Sequence, residues 1–253
     1  MSTIWLYTIL SVIIVSLISL IGIFVFSIKT KKLTGLILTL VAFSAGALLG
    51  DTFIHLLPEM IESGWTIITS LMIILGILIF FILEKFIRWQ HCHDINCSEH
   101  HPRHLATMNF VGDGLHNLID GMVIAGSFLV SIPLGIATTL AVIAHEIPQE
   151  IGDFAVLTHA GLNLKKALLL NFLSALLAIV GAIIVLFLSS LYPTLAPTLT
   201  RILIPLAAGG FIYIAASDLI PELHKETKPT KSLLHLLALL AGIIIMILLL
   251  KLG

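Results

Sequence analysis

Two stretches of the chain carry metal-ligand side chains at helical spacing. The first reads Asp113-Gly-Leu-His116-Asn117-Leu-Ile-Asp120-Gly121, the second His145-Glu146-Ile-Pro148-Gln149-Glu150-Ile-Gly-Asp153. In the first, Asp113, His116, Asn117 and Asp120 stand at i, i+3, i+4 and i+7, so one helix presents all four on a single stripe. In the second, His145, Glu146, Gln149, Glu150 and Asp153 cover an arc of about 140° at 100° per residue. Two imidazoles with several carboxylates suit zinc, iron or manganese better than magnesium or calcium. The carboxylates suffice for two ions that share a bridging ligand.

The setting makes these residues expensive. Both stretches lie inside apolar runs long enough to cross a bilayer, where an ionisable group costs roughly 2.5 kcal/mol or more at the centre. Such faces cannot both look at lipid, so they should face each other or an aqueous path. A buried polar network that merely locks two helices together is the bland alternative. Nine polar positions on adjacent spans exceed what that role needs.

Hydrophobic residues make up 58% of the 253 residues and charged ones 11%, with a mean hydropathy of +1.14. A soluble domain carries about 25% charge. The apolar runs are continuous rather than alternating, which indicates an all-α membrane protein. About eight transmembrane helices are expected, near 4–28, 34–57, 65–88, 107–130, 133–159, 164–189, 201–220 and 232–252, together forming a single domain over 1–253. The first run is long for a signal-peptide core and lacks a basic start, so it is read as a retained span. The net charge of −1 offers nothing to a nucleic acid, and no phosphate-cradling loop suggests ATP hydrolysis.

Of the 13 basic residues, all but Arg201 and Lys251 fall in the odd-numbered connections. That asymmetry predicts cytoplasmic odd loops and both termini external. Residues 89–106 form a His/Cys-rich cytoplasmic loop with His91, Cys92, His93, Cys97, His100 and His101. Its composition suggests a labile cytosolic metal site, although its spacing matches no fixed zinc module.

A faint internal repeat links Ala45-Gly46-Ala47 with His55-Leu-Leu-Pro58-Glu59 and Ala208-Gly209-Gly210 with Asp218-Leu-Ile-Pro221-Glu222. The two segments should run in opposite directions, as in an inverted repeat around a central fourth/fifth helix pair. Pro148 removes a backbone donor inside the fifth span and leaves the Ala144 carbonyl free, which predicts a kink beside the ligands. His145-Glu146 also begins an HExxH zinc-protease pattern, but position 149 holds Gln and Pro148 disturbs the required turn. An intramembrane zinc-dependent protease and a non-transporting metal sensor remain as alternative readings.

Taken with GALLGDTFIHLLPE in the second span and GGFIYIAASDLIPELH in the seventh, DGLHNLIDG and HEIPQEIGDFAVLTHAG resemble the ZIP family of zinc and iron transporters. The branch with HNxxDG and HExPHE is the most similar. The resemblance implies eight helices, external termini, no enzyme activity and elevator-like alternating access that carries Zn2+ into the cytoplasm. Fe2+, Mn2+ and Cd2+ are further substrates to consider, and no organic cofactor is implied. It assigns His116, Asn117, Asp120, His145, Glu146, Gln149 and possible ligand Glu150 to metal. It also implies a route through Asp51 and His55 at the outer end, Asp113 and Asp153 in between, and Asp218, Glu222 and His224 at the inner end. Asn171 and Ser174 would border the site. The implied setting is a multi-pass protein of a cell membrane, plasma or inner, in contact with the lipid bilayer and able to form a homodimer. Gln149 departs from the branch, which has His there.

Overall fold

The computed structural model describes residues 2–22, 30–88, 102–159 and 161–252. Within them the chain forms eight long helical elements and no strand. Helix α1 (Ser2–Ile18) ends in a 3-10 turn, Ser19–Ile21. Helix α2 comprises Thr30–Gly50, a π-helical turn Asp51–Leu56 and Leu57–Glu62. Helices α3 (Ile67–Arg88), α4 (Pro102–Val130) and α5 (Ile132–His159) follow. Helix α6 is built from Leu164–Ala175 and Leu177–Leu191. Helix α7 comprises Ala196–Tyr213, a π-helical turn Ile214–Leu219 and Ile220–Leu223. Helix α8 is Pro229–Leu249. The turns after α2 and α5 contain Gly64 (φ 96°) and Gly161 (φ 82°), backbone angles that only glycine adopts cheaply.

Six of the elements are long and apolar enough to span a membrane by composition alone. The other two are α4 and α5, which carry the polar stripes. At 29 and 28 residues each still exceeds the roughly 20 that a bilayer core requires. Large apolar side chains cover the outside, for example Ile67, Leu71, Ile74 and Leu78 on α3 and Leu233, Leu237, Leu240 and Ile244 on α8. So continuous an apolar surface belongs against lipid.

The helices pack as two groups. Helix α4 lies against α5 and α6, with α1 closing on α5 and α6; α2 pairs with α8, and α3 with α7. The groups meet mainly where α2 crosses α5 and α7 crosses α4. Small residues allow the tightest pairs. A Cβ on Gly46 would lie 2.0 Å from the Leu239 carbonyl oxygen of α8, and one on Gly121 would lie 1.8 Å from the Ala178 oxygen of α6. Backbone contact of this kind supplies dispersion energy where no hydrophobic effect operates between lipid-immersed helices.

Several boundaries differ from those expected. Helix α2 runs past Pro58 to Glu62, α7 begins at Ala196, and α4 begins at Pro102 rather than near 107. Proline at a helix start sacrifices a donor that has no acceptor anyway. The prolines farther along, Pro58 and Pro221, are each preceded by a π turn that starts seven residues earlier, at Asp51 and Ile214. The extra residue of such a turn absorbs the missing hydrogen bond and the ring's bulk. The same device at the same register in α2 and α7 gives the faint sequence repeat a structural counterpart. Of the loop expected over 89–106, residues 102–106 are helical.

Candidate metal centre

Helices α4 and α5 bring His116, Asp120, His145 and Glu146 together, each offering one ligand atom, with all four atoms within 4.8 Å of one another. The Nε2 atoms of His116 and His145 are 3.2 Å apart. His116 Nε2 lies 3.4 Å from Asp120 Oδ2 and 3.4 Å from Glu146 Oε1. His145 Nε2 lies 3.1 Å from Asp120 Oδ2 and 3.4 Å from Glu146 Oε1. Ligands about 2.0–2.1 Å from a tetrahedral zinc are separated by about 3.3 Å. Five of the six ligand–ligand edges thus have the length that a four-coordinate zinc requires. Two neutral imidazoles and two carboxylates would also balance its double charge.

The surroundings hold these ligands in place. Asp120, His145 and Glu146 are at most 1% exposed, and His116 is 9% exposed. The Ala141 carbonyl lies 3.2 Å from His145 Nδ1 and can only accept, so it draws the ring proton to Nδ1 and leaves the Nε2 lone pair facing the cluster. Phe80 of α3 meets the His116 ring edge-on at 5.2 Å, and Phe211 of α7 packs beside His145 at 6.0 Å. Both rings are themselves buried, Phe80 at the wall of a cavity that His116 also lines. Leu48, Ile124 and Val142, each fully buried, belong to the hydrophobic core of the bundle.

The remaining assigned residues divide. Asn117 donates through Nδ2 to Asp113 Oδ1 at 2.9 Å, and Gln149 Nε2 donates to the same oxygen at 3.4 Å. Glu150 accepts from Asn171 Nδ2, which also reaches the carbonyls of Glu150 and Ser19. Ser174 donates to the Asn171 carbonyl at 2.9 Å. This leaves Asp113 Oδ2, Asn117 Oδ1, Asp120 Oδ1, Glu150 Oε1, Asp153 Oδ2 and Asn171 Oδ1 buried with no hydrogen-bond partner among the described residues. Such a concentration of unpaired acceptors near the four clustered side chains is what a cation could satisfy.

A cavity of about 590 Å³ touches His116, His145, Pro148 and Gln149 and continues past Asp113 and Asp153 to Asp218 and Glu222. Its walls include the C-terminal parts of α3, α5 and α7 and the N-terminal part of α4. That is the end of the bundle whose connections hold most of the Lys and Arg. Asp218 and Glu222 are exposed, and Glu222 pairs with Lys225. His224 is exposed and does not line the cavity. On the other side of the cluster, Asp51 is wholly buried with both carboxylate oxygens unpaired. His55 Nε2 donates to the Met246 carbonyl at 2.9 Å, a bond that ties α2 to α8. His91, Cys92, His93, Cys97, His100 and His101 lie outside the described residues.

Pro148 sits within α5, and the helix runs on past it. The Ala144 carbonyl that it leaves without a backbone donor accepts from the hydroxyl of Ser44 on α2. Ser44 carries no chemical signature of its own in the sequence. The signal that could have found it is the unpaired carbonyl, which in a dry interior demands a donor from a neighbouring helix.

The family model described as ZIP Zinc transporter matches residues 2–104 and 89–250. The chain is 34% identical over 227 residues to a protein of Pongo abelii named Zinc transporter ZIP13, covering 83% of this chain and 65% of that one. It is 32% identical over 272 residues to Zinc transporter zipt-7.1 of Caenorhabditis briggsae, covering 81% of this chain and 68% of that one. With Zinc transporter ZIP13 of Danio rerio it shares 31% identity over 279 residues, covering 88% and 78%. The chain thus spans about two thirds of the first two relatives' length. Their names describe zinc transporters. With a matching family model over nearly its whole length and these relatives, the chain belongs to the ZIP zinc transporter family.

Proposed function

We infer that the protein carries Zn2+ across a membrane toward the cytoplasm, with His116, Asp120, His145 and Glu146 as the transport site. The observation that carries this reading is the set of 3.1–3.4 Å edges among those four buried ligands. The relatives' names and the family match point to zinc as the cargo. The charge asymmetry orients the chain with both termini external, so the cavity past Asp218 and Glu222 opens inward and the structure is the inward-facing state. Asn117, Gln149 and Glu150 then serve a second, weaker ion position with Glu146 between the two. Gln149 supplies a neutral amide there in place of an imidazole, which lowers the affinity of that position. The partition of the helices into two groups with the ligands all on one of them supports an elevator-like movement of α1, α4, α5 and α6 past α2, α3, α7 and α8. The His-rich loop receives the released ion on the cytoplasmic side.

Uptake of radioactive Zn2+ into proteoliposomes tests the reading. Wild type is expected to fill the vesicles above the protein-free level and His116→Ala to remain at it. Equal signals from wild type and empty liposomes would remove transport as the function.

A further inference from the structure

Ser44 belongs to the helix group that contributes no metal ligand, yet it reaches the ligand-bearing helix next to its ligands. Its hydroxyl has two acceptors within range: the Leu40 carbonyl of its own helix at 2.7 Å and the Ala144 carbonyl of α5. A hydroxyl has one proton, so it serves one of these at a time. The Leu40 carbonyl has the helical N–H of residue 44 as an alternative donor. The Ala144 carbonyl has none, because the residue four positions on is Pro148. Ser44 is fully buried and Ala144 is 7% exposed, so water offers little substitute. The next two residues after Ala144 are His145 and Glu146.

We propose that Ser44 is a positioning residue for zinc, a latch by which α2 holds the Pro148-interrupted turn of α5 with His145 and Glu146 in ligating register. It never touches the ion. When α5 shifts relative to α2, the Ser44 O–H rotates to donate to the Leu40 carbonyl alone, so the latch opens without leaving a donor unpaired on α2. This inference rests on the transport-site assignment above, since it acts on two of those four ligands.

The test is a double-mutant cycle on zinc affinity, measured by equilibrium dialysis of radioactive Zn2+ against purified protein in detergent. Ser44→Ala should weaken zinc binding about ten-fold, the lower range for loss of a group that orients a ligand. Pro148→Ala restores an N–H to the Ala144 carbonyl, so in that background Ser44→Ala should cost less than about two-fold. The same loss in both backgrounds, or no loss in either, overturns the latch. A merely structural Ser44 would lower affinity or yield alike in both. The Ser44→Cys variant, a weaker donor of similar size, should fall between Ser and Ala and guards against a misfolded alanine variant. Proteoliposome influx run beside the dialysis separates the two readings: wild type that binds zinc but carries none ends the transport reading, while the affinity cycle still decides the latch.

Discussion

At the scale of single residues, the site depends on ligands that face one another across two helices. On the proposed assignment His116→Ala removes one of four ligands, and zinc binding should weaken by more than the roughly 10- to 100-fold typical of an outer-shell loss. Dialysis would show it, and affinity within a few-fold of wild type would exclude His116 as a ligand. Gln149 is the informative exception. Its amide points at Asp113, where a metal-binding chain would gain from an imidazole. Gln149→His is therefore expected to raise the number of zinc ions held per chain at a fixed concentration, and competition by iron, manganese and cadmium should change rank. Unchanged stoichiometry would show that position 149 lies off the metal path. The polar stripes include all four residues that the fold clusters, because helical phase places residues on a stripe. They also include Glu150, which sits at the edge of the predicted arc and is drawn instead to Asn171 of α6. Phase alone could not separate these two outcomes.

At the scale of elements, proline and glycine mark where helices yield and where they touch. The π turns before Pro58 and Pro221 show how α2 and α7 carry proline without ending. Sequence rules that treat proline as a boundary therefore stop the second span about five residues early. Backbone contacts at glycine are less forgiving. In Gly121→Ala the new methyl would lie within 1.8 Å of the Ala178 oxygen, so α4 and α6 must part. The cost should be about 1–3 kcal/mol, visible as a lower melting midpoint in detergent. The clash moves α4 as a body, and zinc affinity should fall with it. A melting midpoint equal to wild type would mean that this helix pair is looser than drawn.

At the scale of the whole molecule, the proposed orientation rests on a charge count alone. On a Cys92→Ser/Cys97→Ser background, Ser63→Cys in the α2–α3 turn should react with a membrane-impermeant maleimide on intact cells. Lys228→Cys, ahead of α8, should react only after permeabilisation. The reverse pattern would invert the topology, and with it the direction assigned to the cavity. Both positions are exposed at opposite ends of the helices, so each labels if its side is reached.

The sequence by itself determined the number of helices, their membrane setting, the polar stripes on α4 and α5 and the carbonyl that Pro148 leaves unpaired. These follow from composition, period and covalent structure, which are local properties of the chain. Only the tertiary structure decided that His116, Asp120, His145 and Glu146 converge while Glu150 turns to Asn171 and Gln149 to Asp113. It alone supplied Ser44 as the donor for Ala144. Each of those outcomes depends on which helix lies opposite and at what height, and a helix's own sequence sets its azimuth but not its neighbour.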